Sequence, residues 1–199
     1  MVMVNPRDAF LLQQINRRSG RHCSVTNGPV HSFRLKPGDD LLTGISNYVA
    51  EHKIMACHVV SCVGSLKRAT LRLAKPKVKG KERIIARDES FEIVGVTGTV
   101  EFNEAENKVT GHLHISLADE NGVVWGGHML SSSDGHKDCG TKTEEDSRKT
   151  GDSTQSGLYP IYTTAEIGLL VDYEVKFSRE HCEMSGWPEL VVRDAAQGG

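Results

Sequence analysis

From Gly111 to Leu130 the chain reads Gly-His-Leu-His-Ile-Ser-Leu-Ala-Asp-Glu-Asn-Gly-Val-Val-Trp-Gly-Gly-His-Met-Leu. The pattern is that of a β-hairpin. His112 to Leu117 alternates polar and apolar residues, the period of a strand with one buried face. Asp119-Glu120-Asn121-Gly122 supplies turn residues, and Val123 to Leu130 returns. A three-residue loop, Glu120 to Gly122, puts Gly122 in the left-handed position of a G1 bulge. Trp125 then faces Leu117 and His128 faces His114. His112, His114 and His128 share one face with Ser116; Leu113, Ile115, Leu117, Trp125 and Met129 share the other. A two-residue Asn121-Gly122 loop would bury His128 among the leucines, because a one-residue slip inverts every side chain. The bulged turn is the consistent choice, and it gathers three imidazoles on one sheet face.

Around the hairpin the chain reads as further strands and one clear helix. Val30 to Leu35 alternates as a first strand. Lys36-Pro37-Gly38 turns, and Asp39 or Asp40 caps a helix with Leu41, Leu42, Ile45, Tyr48 and Val49 on one face. Met55 to Val63 is apolar enough for a central strand, closed by Gly64-Ser65-Leu66, and Arg68 to Ala74 returns. Phe91 to Phe102 is a strand in which Gly95 and Gly98 mark bulges or close backbone contact. Ala165 to Phe177 alternates throughout as one strand, and Trp187 to Val192 is an edge strand or a docked tail. The fold class is α/β in the broad sense, more narrowly α+β: an antiparallel-rich sheet of about seven strands flanked by one main helix.

Three stretches stand apart. Residues 1–29 read as an N-terminal extension. Lys75 to Arg83 is a basic loop, read first as solvated and second as a contact for an anionic partner. Residues 131–157 carry no large apolar side chain before Leu158, so they have little to bury against their ordering entropy and read as a disordered insertion. His136 and Cys139 inside it read as incidental. The domain thus runs over 30–192, with 193–199 as a tail.

Bulk properties narrow the classes. The 199 residues carry 24 basic and 26 acidic side chains, a formal charge of −2. Such a balance gives no general attraction to nucleic acid. No apolar run reaches membrane-spanning length, and the N-terminal residues lack a signal-peptide core. Cys23, Cys57, Cys62, Cys139 and Cys182 form no CxxC pair and are odd in number, so a reducing interior is expected, cytoplasmic first and nuclear second.

Several blocks together resemble the PPC domain, the plant and prokaryote conserved family. They are Leu35-Lys36-Pro37-Gly38-Asp39-Asp40-Leu41, Ser61 to Leu66, Phe91-Glu92-Ile93, Gly111 to Ala118, Gly126-Gly127-His128, Thr164-Ala165-Glu166 and Gly186 to Leu190. The resemblance implies a seven-stranded sheet with flanking helix and a homotrimer. Plant members join this domain to AT-hooks that bind AT-rich DNA. No Arg-Gly-Arg-Pro core occurs here, so direct DNA contact is not expected. The His-x-His and Gly-Gly-His motifs are similar to the prokaryotic branch, whose histidines can hold a metal.

The residues themselves point the same way. Imidazole is the commonest metal ligand, and side chains at i and i+2 of a strand stand roughly 6.5–7 Å apart at the backbone. A facing histidine completes a triangle, and three nitrogens plus one open position suit zinc or another divalent transition metal. His112, His114 and His128 are therefore the expected metal ligands. No catalytic residue is assignable. Glu92, Glu101 and Glu166 are candidate outer carboxylates, each read first as solvated or structural. His58, in an apolar strand, reads as a core histidine. Three functions from different classes follow. The first is a homotrimeric binding module carrying a metal or small ligand. The second is a zinc-dependent, hydrolase-like enzyme using metal-bound water. A regulator acting through DNA-bound partners is a third.

Overall fold

The computed structural model describes residues 28–74, 83–131 and 157–195. Residues 1–27 of the N-terminal extension, the basic loop's 75–82, the insertion's 132–156 and residues 196–199 lie outside them, so the expectations placed there stand untested. The described residues form β1 (Val30–Leu35), α1 (Leu41–Glu51), β2 (Cys57–Leu66), β3 (Ala69–Leu73), β4 (Arg83–Arg87) and β5 (Phe91–Asn103). There follow β6 (Lys108–Ala118), β7 (Val124–Met129), β8 (Ile161–Val171), β9 (Val175–Cys182) and β10 (Trp187–Asp194). The first eight strands in space form one antiparallel sheet, ordered β1-β8-β2-β5-β6-β7-β3-β4; β9 and β10 form a separate two-stranded ribbon. The expected class holds. One helix lies beside a large antiparallel sheet, and β4, β9 and β10 account for the strands beyond seven.

The topology dictates a curled sheet. Leu66 ends β2 and Ala69 starts β3, so the chain between them spans at most about 11 Å. In hydrogen-bonding order, β5, β6 and β7 separate the two strands. Four interstrand steps in a flat sheet measure about 19 Å. The sheet must therefore coil until β2 and β3 approach. Within the coil lies one apolar core that takes Leu66, Leu71, Phe91, Val96, Leu113, Ile115, Leu117, Ile161 and Leu169.

Helix α1 docks on this core through Leu41, Ile45 and Val49, all fully buried. Asp40 is its cap: one carboxylate oxygen accepts from the Thr43 N–H at 2.9 Å and the other from the Tyr159 N–H at 2.7 Å. Asp39 has a different task, closing the preceding turn by accepting from the Lys36 N–H. Tyr159, fully buried, donates its hydroxyl to the Thr70 carbonyl and accepts from the Leu130 N–H, both at 2.6 Å. That last bond ties together the two ends of the chain flanking 132–156.

Two expectations need correction. Gly64-Ser65-Leu66 is not a turn but the buried end of β2, and the chain reverses at Lys67 and Arg68. Ala165 to Phe177 is not one strand. Asp172 breaks it, its carboxylate accepting from the Glu174 N–H at 2.9 Å in a tight turn. Beyond that turn β9 leaves the sheet, and the ribbon crosses the sheet's outer face, where its Arg179 meets Thr99 and Glu101 of β5.

Candidate metal centre

The hairpin of β6 and β7 pairs His114 with His128, Leu117 with Trp125 and Ala118 with Val124. This is the register of the three-residue loop. Asp119 N–H donates to the Val123 carbonyl at 3.1 Å, and the Gly122 N–H to the Asp119 carbonyl at 2.9 Å. Gly122 has φ +73°, the left-handed conformation that a side chain disfavours. The Asp119 carboxylate accepts from the Asn121 and Val123 N–H groups, each at 2.9 Å, and holds the loop shut.

The faces follow. Leu113, Ile115, Leu117 and Met129 are buried, and Trp125 packs edge-on against Phe91 with ring centroids 5.1 Å apart. His112 and His114 are exposed and His128 half-buried on the opposite face. The three rings converge. Their centroids are 4.9–5.4 Å apart, and the Nε2 atoms of His112 and His114 are 3.0 Å apart. One nitrogen from each ring lies within 4.8 Å of the others. Nitrogens on a tetrahedral zinc, at about 2.0–2.1 Å from the ion, stand roughly 3.3 Å apart. Small rotations of the rings reach that spacing, so the donor set fits a divalent transition metal. The backbone is drawn in as well. Gly98 on β5 has φ +138°, and a Cβ there would collide with the carbonyl of His112. Only glycine lets β5 lie this close to the first histidine.

Electrostatics distinguish His112. Its imidazole is held below the usual histidine range, first by partial desolvation against its neighbours, then by the positive charges of His114, Arg179 and Arg72, against the opposing charge of Glu189. A neutral ring is the form that binds metal.

The ribbon supplies what the motifs did not reveal. Arg179 of β9 reaches across β5, pairing with Glu101 at 3.0 Å and donating to the Thr99 hydroxyl. Thr99 is the cross-strand partner of His112. Glu101, the one candidate carboxylate that is buried, also accepts from the Thr110 hydroxyl at 2.6 Å. It is thus an ion-pair partner rather than a direct acceptor for imidazole. Glu92 and Glu166 are exposed. His58 is not a core residue; half-buried on β2, it meets Phe177 of the ribbon edge-on at 5.3 Å.

The family model described as the Plants and Prokaryotes Conserved (PCC) domain matches residues 23–135, more than half of the chain. The chain belongs to the PCC domain family. It is the family, also abbreviated PPC, that the motifs resemble. Among curated relatives, the chain is 31% identical over 168 residues to the bifunctional protein GlmU of Synechococcus sp. (strain JA-3-3Ab). That alignment covers 84% of this chain and 21% of the relative, so the chain spans about a fifth of that protein's length. A hypothetical protein from Salmonella enterica has the same fold, with a TM-score of 0.66 at 24% identity, over 87% of this chain and 99% of that one. A metal-containing protein from Archaeoglobus fulgidus matches with a TM-score of 0.60 at 21% identity, over 84% and 96%. A PPC protein from Pyrococcus horikoshii matches with a TM-score of 0.56 at 23% identity, over 84% and 99%. Among the described residues no helix is long and apolar enough to cross a membrane.

Proposed function

We propose that this PCC domain is a homotrimeric binding module that holds a divalent transition metal, zinc foremost, on His112, His114 and His128. The convergence of one nitrogen from each ring to within 4.8 Å carries the reading. A lone histidine on a sheet face needs no ligand. Three rings brought together from two strands, on a face that their apolar neighbours avoid, form a donor set. The Archaeoglobus protein of the same fold is described as metal-containing, which supports it. When bound, the metal supplies a Lewis-acidic position open to a ligand or to water. The chain's own part is to orient the imidazoles. The Asp119–Gly122 turn sets the register, Gly98 seats His112 against β5, and Arg179 and Glu101 brace the neighbouring strand. A trimer accords with solvent-facing Val60, Val63 and Val94, each more than half exposed in the isolated chain.

Calorimetric zinc titration tests the site. His114→Ala should weaken zinc binding by at least about tenfold, as loss of one of three ligands requires. His136→Ala should change nothing. Equal affinity in wild type and His114→Ala overturns the reading.

A further inference from the structure

Three neutral imidazoles bring a divalent ion no negative charge, so any balancing carboxylate must come from outside the donor set. The buried Glu101 is already held by Arg179 and by the Thr110 hydroxyl. The ribbon of β9 and β10 carries another carboxylate, Glu189.

The ribbon touches the sheet on both sides of the histidines. Arg179 of β9 donates to the Thr99 hydroxyl, and Thr99 is the cross-strand partner of His112. At the ribbon's far end, the Trp187 ring centre lies 4.8 Å from the guanidinium carbon of Arg72, the cross-strand partner of His128. Trp187 also lines a cavity together with His114 and His128. Leu190 is paired with Arg179 within the ribbon, so Glu189 stands on β10 between these two contacts. Alternate residues of a strand share a face, which puts Glu189 on the side of β10 that Trp187 occupies. Its charge reaches His112, where it opposes those of Arg179 and Arg72.

The local pairing does not explain this carboxylate. Its partner across the ribbon is Glu180, and like charges directly opposite one another destabilise a strand pair. Arg193 pairs with Glu180. Among the described residues Glu189 makes no hydrogen bond or ion pair. Among the same residues, the donor atoms that converge closely enough to share an ion are those of His112, His114 and His128, so Glu189 stands outside the ligands.

We propose that Glu189 is the outer carboxylate of the metal site: carried over the histidines by the ribbon, it attracts the divalent ion through its charge and does not ligate it. The inference rests on the metal reading and adds a positioning residue to it.

Zinc titration calorimetry on the full chain tests this at about 0.01 M and about 1 M of a non-coordinating salt, where charges are screened over about 30 Å and about 3 Å. At low salt Glu189→Gln should bind zinc about fivefold more weakly than wild type, the effect of one charge acting on a divalent ion across solvent. Glu189→Lys, which reverses the charge, should lose about twentyfold. At high salt Glu189→Gln should come within about twofold of wild type. Glu174→Gln, at the other end of the ribbon, makes the same change in net charge and should stay within about twofold at both salts. The metal-free Glu189→Gln protein should melt no lower than wild type, because a like-charge pair has been relieved. Equal zinc affinity of wild type and Glu189→Gln at low salt overturns this inference and leaves the metal reading intact. So does an equal loss in Glu174→Gln, a loss that salt does not reduce, or a lower melting temperature of metal-free Glu189→Gln. Failure of the wild-type chain to take zinc overturns both.

Discussion

Glu101 is 1% exposed, and its charge is tolerated because Arg179 and Thr110 both donate to it. Removing one partner of a buried pair strands the other, at about 3–5 kcal/mol. Arg179→Ala should therefore lower the urea midpoint sharply, while replacing both members with apolar residues of similar volume should recover much of the loss. A single-variant midpoint equal to wild type shows the pair to be idle. The three cysteines among the described residues divide just as clearly. Burial pushes the Cys57 and Cys62 thiols up to about 12, while hydrogen bonds from Ser185 and Met184 hold the Cys182 thiol below its ordinary value. The thiolate is the reactive form. As pH rises toward the ordinary thiol range, Cys182 should be alkylated early in the folded protein, and Cys57 and Cys62 only after unfolding. Mass-spectrometric mapping of the labelled cysteines reads this order directly.

At the scale of elements, the hairpin loop and the helix cap are the points where one residue decides much. Gly122→Val forces a branched side chain into the left-handed conformation, at about 1–2 kcal/mol, and should lower the melting temperature. Asp40→Ala removes a helix cap, about 0.5–2 kcal/mol, and in addition the tie to Tyr159. Its loss of unfolding free energy, read by urea denaturation, should lie at or above the upper end of that range. The Leu130–Tyr159 bond holds the two chain ends beside 132–156 together. Loop entropy changes by only about 0.6 kcal/mol per doubling of length. A short Gly-Ser linker in place of 132–156 should leave cooperative melting in place; its loss would give that segment a structural role.

For the whole molecule, the expected assembly is three chains. Light scattering at micromolar concentration should give three times the monomer mass, and a monomer there would refute the trimer. The exposed valines on β2 and β5 belong to this scale, since an isolated sheet gains by covering such a face.

Local order was legible in the residues. The hairpin register, the sides taken by His112, His114 and His128, the first strand, the helix and the backbone contact at Gly98 all follow from periodicities of two and 3.6 and from turn chemistry, which act over a few residues. The PCC family motifs were legible for the same reason, being short and contiguous. Long-range features were not. The break at Asp172 depends on a carboxylate turning inward at a point where alternation continues on both sides. The placing of Arg72 beside His128 depends on β3 joining β7, strands 50 or so residues apart whose pairing no local pattern encodes. The approach of Arg179 to Thr99 and of Trp187 to Arg72 depends on a ribbon leaving the sheet and folding back over its face. Side-chain period determined which face each histidine occupies; only the long-range pairing and the curl of the sheet decided what else stands on that face.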